Sequence, residues 1–91
     1  MHHQFHARER ASLRHIPDAA IESVVNEPEL TWPSKSSSGR PVTACQRGAV
    51  RVIVADEDRS VVTVMWVHDL TGGTDPDPAQ AEHLLRKVMG R

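Results

Sequence analysis

The chain has 91 residues, 38% hydrophobic and 25% charged, a composition typical of one small globular domain rather than a disordered segment. Its net charge is −1, whereas proteins that bind nucleic acid avidly through nonspecific phosphate contacts are usually far more basic. The only aromatic residues are Phe5, Trp32 and Trp66, which excludes a platform that stacks several single-stranded bases. The single Cys45 excludes an internal disulfide and a cysteine-based zinc site.

The same sequence features indicate a compartment. A lone cysteine fits a reducing environment, and no stretch has the length of a membrane span or of a signal-peptide core. We therefore expect a cytoplasmic protein that makes no membrane contact.

An imidazole and two guanidinium groups recur at fixed spacing near the N-terminus. His6, Arg10 and Arg14 stand four residues apart, so a helix over residues 5 to 14 would place them in one row. Histidine moves a proton near neutral pH, and arginine binds phosphate through paired hydrogen bonds. The row is typical of phosphodiester chemistry, although the solvated face of an ordinary amphipathic helix has a similar composition.

Charge is unevenly distributed along the chain. Residues 1 to 51 carry seven Lys or Arg against five Asp or Glu, and residues 52 to 91 carry four against seven, giving +2 and −3. Any contact with nucleic acid should therefore be local, a pocket for one or two phosphates.

A zinc site is an alternative use of the N-terminal histidines. His2 and His6 have the i, i+4 spacing of zinc ligands, and His3 lies beside them. No cysteine lies nearby, and Glu9 is the only carboxylate at a useful distance, so we predict neither a metal site nor a cofactor.

Two short helices are predicted before residue 30. Pro17 ends the first, and Asp18 opens a second that ends at Pro28. Residues 31 to 40 are rich in Trp, Pro, Ser and Gly and predict a flexible loop. The serines of this loop and Lys35 can serve either as a solvated connector or as a cover over a ligand phosphate.

Three strands follow, at Pro41 to Gln46, Ala49 to Ala55 and Ser60 to Val67, and their β-branched density predicts an antiparallel meander. Alternation places one set of side chains beneath the helices: Val50, Val52, Val54, Val62, Val64 and Trp66. Arg51, Ile53, Thr63 and Met65 then lie on the opposite face. Arg51 is either an exposed sheet arginine paired with an acid or a cation for a substrate.

A third helix is predicted from Ala79 to Met89, after a linker of Gly, Asp and Pro. It either completes the core or reaches a partner. We predict an α+β domain, with two N-terminal helices packed on a three- to four-stranded antiparallel β-meander, plus this C-terminal helix. Residues 1 to 70 form the domain, and residues 71 to 91 form the linker and the helix.

In order and spacing, these motifs resemble small bacterial and phage domains of unknown function related to BrnT- and RelE-type toxins. The resemblance covers Phe5 to Val67 and includes the His6, Arg10 and Arg14 row followed by Ile16. A second helix ends near Asn26-Glu27-Pro28, and the last strand reads Val61-Val62-Thr63-Val64. The chain departs from the family pattern at two positions: His15 separates Arg14 from Ile16, and Pro17 replaces a capping Ser or Thr. It also lacks the strong positive charge of RelE-type toxins.

The resemblance implies the fold of barnase-, colicin- and RelE-like endoribonucleases, which cleave RNA without metal through the 2′-hydroxyl. It implies His6 as acid or base, Arg10 and Arg14 as phosphate ligands, and Thr63 as the matched sheet position. Arg51 follows from the strand pattern as a second cation for the developing charge. His15 is either a spare proton carrier or a helix-end residue that interacts with the helix dipole.

The sequence thus predicts a toxin-like endoribonuclease that acts on RNA and has an antitoxin or a host protein as its protein partner. A different class is also open: a non-catalytic phage or mobile-element protein that binds and inhibits a host protein. The sequence leaves the oligomeric state undetermined.

Overall fold

A computed structural model describes residues 14 to 90 as an α+β domain, in which two helices cover one face of a four-stranded antiparallel sheet. The strands follow chain order across the sheet, so the predicted meander is confirmed. The first predicted helix lies outside the described residues, apart from Arg14 in a turn. The elements are α1 (Asp18–Asn26), β1 (Leu30–Lys35), β2 (Pro41–Arg47), β3 (Val50–Ala55), β4 (Val61–Trp66), a 3-10 turn (His68–Leu70) and α2 (Pro78–Met89).

The predicted loop over residues 31 to 40 is wrong, because Leu30–Lys35 forms strand β1 and only the tip of the segment turns. In the turn, the Ser36 amide donates to the Arg40 carbonyl at 2.9 Å, and Gly39 has a φ of 83°. β1 pairs with β2 along its whole length, from Leu30 opposite Gln46 to Lys35 opposite Pro41. Pro33 is compatible with this ladder because β1 is an edge strand. Composition alone does not reveal a strand that is stabilised by its neighbour.

The core lies between the helices and the valine face of the sheet. Val50, Val52 and Val54 are at most 1% exposed, as the alternation predicted. On β4 the prediction for Val62 is wrong: Val61 is fully buried and Val62 is half-buried on the other face. A register shift between Ile53 and Val54 causes the change, because a β-bulge reverses the alternation on one side of it.

Helix α2 completes this core. The Asp77 carboxylate accepts a hydrogen bond from the Gln80 amide at 2.8 Å and caps the helix, and Pro78 occupies its first turn. Ala81, Leu85 and Val88 are buried against the same cluster as α1. Neither helix of residues 14 to 90 has the length and apolarity needed to cross a bilayer.

Cys45 lies on β2 within this core and is 4% exposed. Burial raises the pKa of its thiol, an effect that the Arg59 charge partly offsets, so the thiol stays protonated and unreactive at neutral pH. We expect an aromatic disulfide reagent to label the folded chain about 10²-fold more slowly than the chain in urea, because labelling requires local opening. The reaction of the same reagent with glutathione, measured with and without urea, is the control for the effect of urea on the reagent itself. Equal rates in both states would contradict the burial.

Candidate functional site

The sheet face opposite the helices forms the floor of an open cleft of about 700 Å³. Strand register brings its residues together in rows across the sheet. Arg51 lies opposite Gln46 on β2 and Met65 on β4, and Ile53 lies opposite Ala44 and Thr63. The lining includes residues of the strands, of the β1–β2 turn and of the 3-10 turn.

Arg51 is held on this face by two different contacts. Its Nε and Nη2 donate to the Gln46 Oε1 at 3.2 and 3.0 Å, and its guanidinium carbon lies 5.0 Å from the Trp32 ring centroid. The ring face attracts the cation without neutralising its charge. No carboxylate among the described residues forms an ion pair with Arg51. The predicted alternative of an acid partner is therefore not found within residues 14 to 90.

Ala44 explains how Arg51 reaches Trp32. Ala44 lies opposite Trp32 on one side and opposite Ile53 on the other, and Arg51 is two residues from Ile53 on the same face. The methyl side chain of Ala44 leaves room for the arginine to cross β2 diagonally. A larger side chain at this position would separate the guanidinium from the indole.

Arg14 lies at the outer edge of β4, at one end of the cleft. Its Nη1 donates to the Val64 carbonyl, and its own carbonyl accepts from the Trp66 Nε1 at 3.0 Å. Its Nε lies 3.8 Å from the Asp75 Oδ2, and its side chain is 24% exposed. These contacts hold the backbone and the side chain of Arg14 against the edge strand β4.

A histidine that sequence reasoning missed stands beside Arg14. The His68 Nε2 lies 2.7 Å from the Asp75 Oδ1, and both side chains are about half exposed. His68 lines the cleft, while Asp75 lies between it and Arg14. No pattern in the sequence predicts that His68 and Asp75 lie together, because the segment between them has no strand or helix periodicity.

The cleft is locally cationic on a chain whose net charge is −1. Its lining residues include Arg14, Lys35 and Arg51 but only one carboxylate, that of Asp69. A concave surface lined mainly by one sign of charge raises the local concentration of ligands of the opposite sign. The cleft is therefore suited to an anion.

The structure brings together three of the residues singled out from the sequence, since Arg14, Arg51 and Thr63 line one cleft. His15 is exposed, does not line the cleft, and has a φ of 57°. His6 and Arg10 lie outside the described residues, so their placement stays a prediction. The same holds for the alternative zinc ligands His2 and His3; residues 14 to 90 contain no cluster of three potential metal ligands.

Comparison of the chain with protein-family models, with curated proteins and with solved structures gives no significant match.

Proposed function

We propose that the chain is a small metal-independent endoribonuclease that binds RNA in the cleft on the open sheet face. The observation that carries the proposal is the Arg51 guanidinium, half-buried, oriented by Gln46 and Trp32, and without a carboxylate partner among the described residues. A cation that is partly removed from water and not neutralised favours an anionic ligand. The phosphodiester of RNA supplies such a ligand.

The donors around Arg51 support a phosphate rather than a neutral ligand. The Gln46 carbonyl oxygen is already used by Arg51, which leaves the Gln46 amide as a hydrogen-bond donor. Arg51 itself has only donors. The Thr63 hydroxyl, one strand away, makes no hydrogen bond to another described residue and completes a surface rich in donors.

In the proposed reaction the 2′-oxygen attacks the adjacent phosphorus, and the bond to the 5′-oxygen breaks. Arg51 and Arg14 stabilise the charge that grows on the phosphoryl oxygens. His6 serves as acid or base and Arg10 as a further phosphate ligand, roles that follow from the toxin-like resemblance. We also propose a first helix over residues 5 to 14, which would carry His6, Arg10 and Arg14 to the cleft.

The test is cleavage of a fluorescently labelled single-stranded RNA in the presence of a metal chelator. We expect products that end in a 2′,3′-cyclic phosphate, and no cleavage of the same strand with deoxyribose at every position. His6→Ala should reduce the rate by about 10²-fold, the effect of losing a general acid–base group. His83→Ala, at an exposed position on α2, is the matched control. Intact RNA at high protein concentration would refute the proposal.

The non-catalytic alternative has one observation in its favour. Leu30 is 57% exposed at the start of the edge strand β1, where a partner can cover its apolar side chain. In this alternative the chain binds an antitoxin or a host protein and cuts no RNA. A partner complex that survives His6→Ala, together with uncut RNA, would favour it.

A further inference from the structure

The His68–Asp75 pair lies where the outer edge of β4 meets the cleft. His68 lies two residues after the end of β4 and three residues beyond Met65, which is the β4 partner of Arg51. Arg14, at the same edge, contacts Asp75 through its Nε. One end of the cleft is therefore lined by the His68 imidazole and the Arg14 guanidinium, and each of them contacts the Asp75 carboxylate.

The contact with Asp75 determines which nitrogen of His68 carries the proton. A carboxylate only accepts hydrogen bonds, so the Nε2 donates to the Asp75 Oδ1 and the neutral ring keeps Nδ1 as an acceptor. Nδ1 of His68 makes no hydrogen bond to another residue between 14 and 90. A histidine with one nitrogen oriented by a carboxylate and the other available as an acceptor has the arrangement of a general base. Arg14 contacts the second oxygen of Asp75 and so helps to orient the carboxylate.

The pair is not needed to close the loop that follows. Thr71 Oγ1 donates to the Thr74 carbonyl at 2.6 Å, and the Gly73 amide donates to the His68 carbonyl at 2.8 Å. These bonds already close residues 68 to 74 without the imidazole. The His68 ring is therefore not required to hold this loop closed.

We propose that His68 is a proton-transfer group of this site and that Asp75 is its positioning residue, an inference that rests on the proposed ribonuclease function. Nδ1 of His68 takes the proton of the 2′-hydroxyl while the 2′-oxygen bonds to phosphorus. The bond from phosphorus to the 5′-oxygen breaks, and the leaving oxygen takes a proton from water or from a second acid. His68 then returns its proton to solvent, and Asp75 stabilises the imidazolium while it exists.

The test uses the full chain and the labelled RNA. His68→Ala should lower the cleavage rate by about 10²-fold, as expected for loss of a general base. Added imidazole should restore part of that rate, because the exposed position leaves room for a small base. The control His83→Ala should keep the wild-type rate and show no response to imidazole. Asp75→Asn should lower kcat rather than raise KM, with the melting temperature unchanged.

The outcomes separate this role from the proposed function. RNA that stays intact with the wild-type chain would overturn both. Cleavage by wild type that persists in His68→Ala would overturn the role of His68 alone. Loss of activity in His68→Ala without imidazole rescue, accompanied by a lower melting temperature, would assign the histidine to structure and also overturn the inference.

Discussion

Replacing Arg51 with alanine is expected to lower the rate of RNA cleavage by about 10²-fold, the usual effect of removing one donor that stabilises developing charge. Arg51 is the cation on the cleft floor with an oriented guanidinium and no acid partner among residues 14 to 90. RNA binding should weaken as well. The slope of log K against log salt should become shallower by about 0.7, which corresponds to the loss of one phosphate contact with a single strand.

Two variants make this prediction specific. Arg51→Lys keeps the charge but loses the planar guanidinium that donates to Gln46 and lies near the Trp32 ring. Its cleavage rate and RNA affinity should therefore lie between those of the wild type and of Arg51→Ala. Arg86→Ala removes a cation from the exposed face of α2, where it pairs with Glu82 at 2.7 Å, and should leave binding and cleavage unchanged. Equal effects of Arg51→Ala and Arg86→Ala would show that the cleft does not bind the substrate phosphate.

The largest effect on stability is expected from Ile21→Ala. Ile21 is fully buried on α1, within the cluster that joins both helices to the sheet. Truncation of a buried isoleucine to alanine costs about 2–5 kcal/mol, through lost burial and the cavity that remains. A small domain has a total unfolding free energy of only about 5–15 kcal/mol, so the variant should lose a large share of it.

Urea denaturation followed by tryptophan fluorescence measures this loss, because Trp66 is buried at 3% exposure. Glu22→Ala, the adjacent and exposed residue of the same helix, is the matched control and should shift the midpoint little. If both variants unfold at the same urea concentration, α1 does not pack against the sheet as described.

The sequence was informative about the cleft only where strand periodicity applies. Alternation along β3 and β4 correctly placed Arg51 and Thr63 away from the helices, because successive side chains of a strand point to opposite faces. The same rule failed at Val62, where the shifted register between β3 and β4 reverses the alternation. Nothing local in the sequence marks that bulge.

The contacts that give the cleft its chemistry were beyond prediction. Gln46 meets Arg51 across a strand pair, and Trp32 meets it from a segment that composition assigns to a loop. His68 and Asp75 meet through a segment of turns that includes Gly72 and Gly73, both at positive φ. Each contact depends on register or on loop path, and neither property has a periodic signature.

By itself, the sequence determined the α+β class, both described helices, three of the four strands, and the strand face on which Arg51 and Thr63 lie. These features follow from the spacing of apolar side chains, which repeats about every 2 residues in a strand and every 3.6 residues in a helix because of local backbone geometry. Only the tertiary structure decided that residues 30 to 35 form a strand and that Arg51 is oriented by Gln46 and Trp32. It also placed the His68–Asp75 pair beside Arg14. Those arrangements arise from pairing between distant segments, whose free energy belongs to the packed domain and not to any local stretch of residues.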